Sequence, residues 1–262
     1  MPAPFRIYNT LSRRVEDFEP VRPGHVGLYV CGMTVYDRAH VGHARAFVVF
    51  DSFVRYLRHR EWEVTFVRNF TDVDDKIIKR ANERGMEPIA LAEENIALYH
   101  QDADALGLLH PEHEPRVSEC IGDIQEMIGR LVDGEHAYVS EGTTWYAVPS
   151  FEEYGKLSGQ KVDGLRSEDV VAGKRHPADF ALWKASKPGE PTWDSPWGPG
   201  RPGWHIECSA MAKTTLGLTI DIHGGGLDLV RRAAGPRRGQ LAASLRGPGQ
   251  AGRCERCGRP RR

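Results

Sequence analysis

The sequence is poor in the features that mark secreted, membrane-spanning or strongly basic proteins. It has only five cysteines, an odd number that does not suit a disulfide framework and favours a reducing compartment. No apolar run approaches the roughly 20 residues needed to span a bilayer, and residues 1–10 lack the apolar core of a signal peptide. The formal net charge of −1 indicates no general attraction to nucleic acid. We therefore expect a soluble cytoplasmic protein that does not enter a membrane.

The chain nevertheless has enough apolar sequence for a substantial core. Its 262 residues are 40% hydrophobic, which suits one large or two small domains. Residues 28–30 and 64–68 have the apolar, β-branched character of buried strands, and residues 44–60 and 76–84 have helical spacing. This strand–helix–strand–helix order predicts an α/β fold with a parallel sheet.

One stretch, residues 29–45, concentrates the candidate chemistry. Cys31 follows the first predicted strand, and His40, Gly42 and His43 stand where the next helix begins. A lone cysteine at a strand end is usually a small buried apolar residue, and histidines at a helix start often lie on the surface. Here all of them converge on the carboxyl end of a strand, where α/β sheets bind ligands, and on a helix N-terminus, which attracts phosphate. We therefore favour a functional interpretation of the whole stretch.

Other segments add one candidate site residue and several predicted structural residues. Thr71 follows the second predicted strand, whereas Asp72, Asp74 and Asp75 are better explained as helix caps. Prolines divide residues 87–133 into two helices, and Cys120 falls in their apolar rhythm as a predicted core residue. Residues 143–148 predict a strand inside an irregular insert, and residues 218–222 predict a strand followed by His223 and glycines.

The motifs together resemble the class I aminoacyl-tRNA synthetases, and cysteinyl-tRNA synthetases in particular. The first motif is YVCGMTVYDRAHVGHAR at residues 29–45, which contains the H-x-G-H signature. The resemblance continues in RNFTDVDDKIIKRANE (68–83), in residues 179–211 and in DIHGGGLDL (221–229), and it covers about residues 5–230. Met33 departs from the family pattern, which has proline there.

The resemblance implies a Rossmann-like catalytic fold, a reaction and a set of site residues. The reaction is ATP-dependent activation of L-cysteine to cysteinyl-adenylate, followed by transfer to tRNA-Cys, with Mg²⁺ accompanying ATP and one Zn²⁺ holding the substrate thiolate. The protein is expected to be a monomer. By position in the motifs, the resemblance makes His40 and His43 the catalytic residues and assigns ATP binding to His40, Gly42, His43, His223 and Gly225. It assigns binding of the substrate cysteine to Cys31, Thr71, Trp204 and Asp228, and binding of zinc to Cys31 and Cys208.

The predicted organisation has four parts. Residues 1–133 form the first half of the catalytic domain, residues 134–178 a small connective insertion, and residues 179–230 the second half. Residues 231–262 contain ten arginines and six glycines without apolar periodicity, so they predict a disordered tail, possibly encoded out of frame. Cys254 and Cys257 in this tail are a weak metal signal because no second pair accompanies them.

The tail also departs from the family where two more zinc ligands are expected. The family places a PHHENE motif after DIHGGGxDL, whereas this chain has Ala233 and Arg237 at the two ligand positions and no later KMSKS motif. We therefore expect little or no aminoacylation by residues 1–262 as they stand. Three alternatives remain open: a ligase that joins cysteine to glucosamine-inositol, a catalytically inactive paralogue that binds RNA through its basic tail, and a misfolded gene remnant.

Overall fold

The structure is a computed structural model that describes residues 3–157 and 172–225. Its centre is a parallel sheet with the strand order β4-β3-β9 among these residues. The strands are β3 (His25–Val30), β4 (Glu63–Arg68) and β9 (Ile222–Gly224), and α1 (Val41–His59) connects β3 to β4. From Val26 onward β3 is wholly buried, as expected for a parallel strand covered on both faces. The predicted α/β fold with a parallel sheet is confirmed.

Three further helices follow the predicted apolar periods: α2 (Asp75–Arg84), α3 (Pro88–Ala105) and α4 (Ile121–Asp133). The helix α5 (Trp204–Leu216) was not predicted, and short 3₁₀ turns lie at Val117–Glu119 and Val148–Ser150. Pro88 stands in the first turn of α3, where a missing N–H costs no helical hydrogen bond. Gly85 ends α2 with a φ of 62°, a left-handed conformation that glycine adopts without strain.

A second, antiparallel sheet has the order β5-β6-β7-β8 in the described part of the chain. Its strands are β5 (Ala137–Ser140), β6 (Thr143–Tyr146), β7 (Phe180–Ala185) and β8 (Gly200–Pro202). The predicted insertion boundary at residue 178 therefore falls within this sheet, and the chain rejoins the parallel sheet only at β9. This strand order results from pairing between strands that are far apart in the sequence, which no local sequence pattern predicts. The four predicted domain limits stay predictions.

A short hairpin lies beside the end of α1. It consists of β1 (Arg6–Asn9) and β2 (Arg14–Asp17), which pair antiparallel. Phe5 and Phe18 stack at 4.7 Å between ring centroids, and both meet the ring of Trp62 edge-on. These aromatic contacts attach the amino-terminal segment to the turn that precedes β4.

Within residues 3–157 and 172–225, the buried side chains form three apolar groups around the parallel sheet and the four-stranded sheet. One lies between α4, α5 and the antiparallel sheet and includes Trp183, which is fully buried, with Trp193 and Trp197 packed at its edge. Cys120 packs against the same group and is half-buried, in agreement with its predicted core position. The others lie between α1, α2 and α3 and between α1, β3 and β4. Sites at the carboxyl ends of β3 and β4 therefore rest on packed side chains.

The predicted strand at residues 218–222 is wrong in position. The strand, β9, begins at Ile222, and His223 lies inside it rather than after it. The cause is Asp221, whose carboxylate accepts hydrogen bonds from the N–H groups of Val21 and Gly27 at 2.6 and 2.7 Å. The aspartate therefore anchors the entry to the strand instead of forming part of it.

Several predictions fall on residues that the structure does not describe. They are Asp228, the disordered tail at residues 231–262 with Cys254 and Cys257, and the middle of the insertion at residues 158–171. Within the described ranges, no helix combines the length and apolar character that crossing a bilayer requires.

Candidate active site

The start of α1 carries two histidines in a reciprocal cap. His40 is the N-cap residue, and its Nδ1 accepts a hydrogen bond from the Gly42 N–H at 3.0 Å. His43 Nδ1 in turn accepts from the His40 N–H at 3.3 Å, and the two rings stack at 4.0 Å. A Cβ on Gly42 would lie 2.7 Å from the His40 ring, so a side chain there would displace it.

This cap determines which ring nitrogen of each histidine faces outward as a donor. Because both Nδ1 atoms accept hydrogen bonds, the proton of each neutral ring lies on Nε2. Burial, and then the neighbouring His40, lower the pKa of His43, which favours its neutral form. The helix start therefore presents two Nε2–H donors at the positive end of the α1 dipole, a combination suited to phosphate oxygens.

The segment after β3 is joined to the segment after β4 by two backbone hydrogen bonds. The Val35 N–H donates to the Thr71 carbonyl oxygen and the Thr71 N–H donates to the Met33 carbonyl oxygen, both at 3.1 Å. Gly32 is required by this approach, because a Cβ there would lie 1.6 Å from the Asn69 carbonyl oxygen. The carboxyl ends of β3 and β4 therefore form one continuous edge.

A thiol pair and an imidazole meet at the same edge. Cys31 directly follows β3, Cys208 lies in α5 and His223 lies in β9. The Cys31 Sγ atom is 3.9 Å from the Cys208 Sγ atom and 3.1 Å from His223 Nε2. The sulfur separation is far beyond the 2.05 Å of a disulfide. Strand pairing and the Cys31 N–H, which donates to the Gly224 carbonyl oxygen at 3.0 Å, hold β3 and β9 together, and α5 packs against β3.

This geometry suits a metal that prefers sulfur and nitrogen. Two Zn–S bonds of about 2.3 Å at the tetrahedral angle place their sulfurs roughly 3.8 Å apart, close to the observed 3.9 Å. The predicted metal residues Cys31 and Cys208 are thus neighbours although 177 positions separate them. His223, predicted from the motif as an ATP contact, lies against Cys31; its assignment to ATP stays a prediction.

A polar wall that the sequence interpretation missed surrounds the thiols. Asn69 accepts from the Gly32 N–H at 3.1 Å, and its Oδ1 lies 3.8 Å from the Cys208 sulfur. The Thr71 hydroxyl donates to Glu207 Oε2 at 3.2 Å. Asn69 directly follows β4, and Glu207 directly precedes Cys208. These positions are the sequence features from which their place in the site could have been predicted.

Glu207 is a deeply buried acid in this wall. Its side chain is 1% exposed, and its Oε1 atom has no hydrogen-bond partner within residues 3–157 and 172–225. Burial raises its pKa well above the usual range, and Cys208 and Asp74 act in the same direction. The carboxyl group therefore favours its neutral form.

The other predicted site residues lie at the borders of this edge. Trp204 is the first residue of α5 and is half-buried, with its ring 5.1 Å from that of His205. Gly225 follows β9 and is exposed. The structure brings the thiols, Thr71 and the α1 histidines to one edge of the sheet, and their roles in binding stay predictions.

Comparison with known proteins identifies the family of this domain. The family model described as tRNA synthetases class I (C) catalytic domain matches residues 17–233. Among curated relatives, the cysteine–tRNA ligase of Alkalilimnicola ehrlichii is 60% identical over 227 residues, which cover 85% of this chain and 49% of that protein. The cysteine–tRNA ligase of Methylococcus capsulatus is 58% identical over 228 residues, covering 86% of this chain and 49% of that protein. The chain thus spans about half the length of these relatives.

Solved structures agree on the fold. Methionyl-tRNA synthetase of Mycobacterium tuberculosis, in complex with methionyl-adenylate, superposes with a TM-score of 0.65 at 14% identity, over 84% of this chain and 55% of that one. At this identity the likeness concerns the fold alone. Since the family model extends over most of the chain and the predicted motifs fall inside it, the protein belongs to the class I aminoacyl-tRNA synthetase family and carries its (C)-type catalytic domain.

Proposed function

We propose that this chain is the catalytic part of a cysteine–tRNA ligase, which activates L-cysteine with ATP and transfers it to tRNA-Cys in the cytoplasm. The observation that carries the proposal is the Cys31–Cys208 pair at 3.9 Å, at the sheet edge that also holds the histidine-capped start of α1. The curated relatives named above bear the same activity in their names.

The residues at this edge fit a bound zinc ion. Cys31 and Cys208 would hold it, and the His223 imidazole lies within reach of the Cys31 sulfur. When bound, zinc would accept the thiolate of the substrate cysteine as a further ligand. Shape alone distinguishes near-isosteres by about 1–3 kcal/mol, whereas a ligand that favours sulfur over a hydroxyl oxygen separates cysteine from serine by their chemistry.

The remaining groups would position ATP for adenylate formation. A carboxylate oxygen of cysteine attacks the α-phosphorus of ATP, the bond from that phosphorus to its bridging oxygen breaks, and pyrophosphate leaves. The Nε2–H groups of His40 and His43, at the positive N-terminal end of α1, would bind the phosphate oxygens, with Mg²⁺ accompanying the nucleotide. Thr71 and Trp204 would border the amino acid. A terminal ribose hydroxyl of the tRNA then attacks the cysteinyl carbonyl and AMP leaves.

Substrate selection can be tested by calorimetric binding of L-cysteine to the zinc-loaded chain, with L-serine as the matched ligand. We expect cysteine to bind at least 100-fold more tightly than serine. The variants Cys31→Ser and Cys208→Ser should lose both zinc and this preference. The variant Cys120→Ser is the matched control, because Cys120 is the N-cap residue of α4 and is not one of the proposed zinc ligands, and it should bind like the parent chain. Equal affinity for cysteine and serine would refute the proposal.

Complete aminoacylation by residues 1–262 alone is a separate matter. Ala233 and Arg237 offer no useful zinc ligand at the positions where the family has histidine and glutamate. We therefore propose that this chain charges tRNA-Cys weakly or not at all. Charging of tRNA-Cys by the purified chain at the rate of a full-length relative would contradict this statement, without affecting the proposed specificity for cysteine.

A further inference from the structure

A second group of ligand-type side chains lies outside the proposed active site. It consists of His100 in α3 and of His110 and Glu114 in the segment that follows this helix. One nitrogen of each imidazole and one oxygen of the carboxylate lie within 4.8 Å of one another. The group shares no residue with the thiol pair or with the start of α1.

Neighbouring side chains hold Glu114 and His100 in place. The Glu114 Oε1 atom accepts from Arg68, whose side chain is only 4% exposed, at 3.1 Å. The other carboxylate oxygen of Glu114, Oε2, faces His100 and lies 3.5 Å from its Nε2 atom. The ring of His100 packs edge-on against Phe70 and Tyr99.

The backbone around Glu114 is equally fixed. The Arg68 N–H donates to the His113 carbonyl oxygen, and the Phe70 N–H donates to the Pro115 carbonyl oxygen, at 3.1 and 3.0 Å. These bonds attach the residues on both sides of Glu114 to the end of β4. The carboxylate is therefore presented from a rigid strand pairing, although it lies on a connecting segment.

His110 has the support that metal-bound histidines usually have. Its Nε2 atom is 2.8 Å from Asp104 Oδ1, and its ring stacks on that of His100 with centroids 5.8 Å apart. An ionised aspartate at this distance keeps the proton on Nε2, so the lone pair lies on Nδ1. A carboxylate that accepts from the far nitrogen is the common second partner of a metal-ligating imidazole.

We propose that His100, His110 and Glu114 form a binding site for a divalent transition-metal ion, with Zn²⁺ as the natural candidate and Co²⁺ as a spectroscopic substitute. Two imidazoles and one carboxylate are a known zinc donor set that leaves a fourth position for water, and nitrogen ligands disfavour Mg²⁺ and Ca²⁺. Bonds of about 2.0–2.1 Å at tetrahedral angles space ligand atoms roughly 3.3 Å apart. His100 and Glu114 already meet this spacing, and small side-chain rotations of the exposed His110 would complete it.

The bound ion would clamp α3 to the segment that pairs with β4. Its effect belongs to stability and is independent of cysteine specificity. Because this site contains no thiolate, Co²⁺ bound here absorbs in the visible range without the near-ultraviolet sulfur-to-cobalt band that Cys31 and Cys208 would produce.

The test is cobalt titration of the full chain without an affinity tag, followed by dialysis and metal analysis. We expect His110→Ala to lose one equivalent of metal while the sulfur-to-cobalt band is unchanged, and Cys31→Ser to lose that band while the His110-dependent equivalent remains. Asp104→Asn should weaken this equivalent about 10–100-fold. The control is His59→Ala, an exposed histidine at the end of α1, which should retain all metal.

Two results would overturn this site. One is a His110→Ala chain that binds as much metal as the parent, with the same affinity. The other is metal loss in His110→Ala that is matched by His59→Ala. Either result leaves the thiol site untouched, since failure there appears as the missing sulfur-to-cobalt band. Circular dichroism verifies that each variant is folded, and the exposed position of His110 makes its truncation a mild change.

Discussion

At the scale of single residues, the site depends on a close approach of two backbone segments. Replacing Gly32 with alanine places a Cβ 1.6 Å from the Asn69 carbonyl oxygen, so one segment must move. We expect a loss of about 2–3 kcal/mol in the free energy of unfolding, measured by urea denaturation, together with weaker cysteine binding.

The matched control for this change is Gly129→Ala in the interior of α4. Nothing lies within 4 Å of a Cβ at Gly129, so alanine should be neutral or stabilise the protein by about 0.5–1 kcal/mol. If Gly32→Ala and Gly129→Ala shift the urea midpoint in the same direction, the steric explanation fails.

The Cys120 thiol is expected to react slowly at neutral pH. Burial raises the pKa of the Cys120 thiol to about 11, and the carboxylates of Asp123, Glu119 and Asp72 add to the effect. The raised pKa keeps the thiol protonated near pH 8, where it should hold roughly 100-fold less reactive thiolate than an ordinary cysteine. Its alkylation rate by iodoacetamide, followed by peptide mass spectrometry, should therefore rise with pH up to about pH 11.

Unfolding in urea supplies the comparison for this measurement. In the unfolded chain Cys120 should react like a free thiol, because the burial that raises its pKa is lost. A rate at pH 8 that is the same with and without urea would contradict the predicted protection.

At the scale of secondary structure, the acids after β4 were all predicted as helix caps, and they have three different roles. Asp74 is the N-cap of α2 and accepts from the Lys76 N–H at 2.9 Å, which confirms the prediction for that residue. Asp72 instead accepts from the Ser118 N–H, on another segment. Asp75 is the acid in the first turn of α2, as predicted, and it also pairs with Lys184 and Arg201, which connects α2 to the antiparallel sheet.

Removing the cap with Asp74→Ala should cost about 1 kcal/mol, because the first turn of α2 loses its side-chain acceptor. Thermal or urea denaturation measures the loss. Asp133→Ala is the control, since Asp133 is exposed at the C-terminal end of α4, where a carboxylate is unfavourable for the helix dipole. The capping explanation would be rejected if the two variants were equally stable.

At the scale of the whole molecule, one carboxylate joins parts of the chain that are almost 200 residues apart. Asp221, just before β9, accepts from the N–H groups of Val21 and Gly27 at 2.6 and 2.7 Å. Hydrogen bonds to a charged acceptor contribute about 1.5–3 kcal/mol, so Asp221→Ala should lower the free energy of unfolding by roughly 2 kcal/mol or more. It should also weaken metal binding, because His223 lies two residues further along β9.

Asp221→Asn keeps one acceptor oxygen and should fall between alanine and the parent chain. Hydrogen exchange of the Gly27 N–H gives a local readout and should accelerate most in Asp221→Ala. An unchanged exchange rate at Gly27 would show that this carboxylate does not anchor β9.

Much of the architecture follows from local patterns in the chain. The apolar run at residues 28–30, the helical spacing after His43 and the strand at residues 64–68 lie within β3, α1 and β4. Such elements are predictable because burial on a sheet or against a helix imposes a period on neighbouring residues. Cys31, His40, His43 and Thr71 are recognisable from the sequence for a related reason, since each lies just after a strand or in the first turn of a helix.

Contacts between distant residues depend on the fold instead. No periodic pattern in the local sequence predicts that Cys31 meets Cys208 and His223, or that β7 and β8 pair with strands of the insertion. The same holds for the burial of Asn69 and Glu207 near the thiols. The chain's own pattern therefore determined the elements, the family and the candidate residues at the sheet edge. Packing of α5 and β9 against β3 determined which of those residues touch, because pairing across more than 170 positions is set by the burial of whole elements and not by neighbouring sequence.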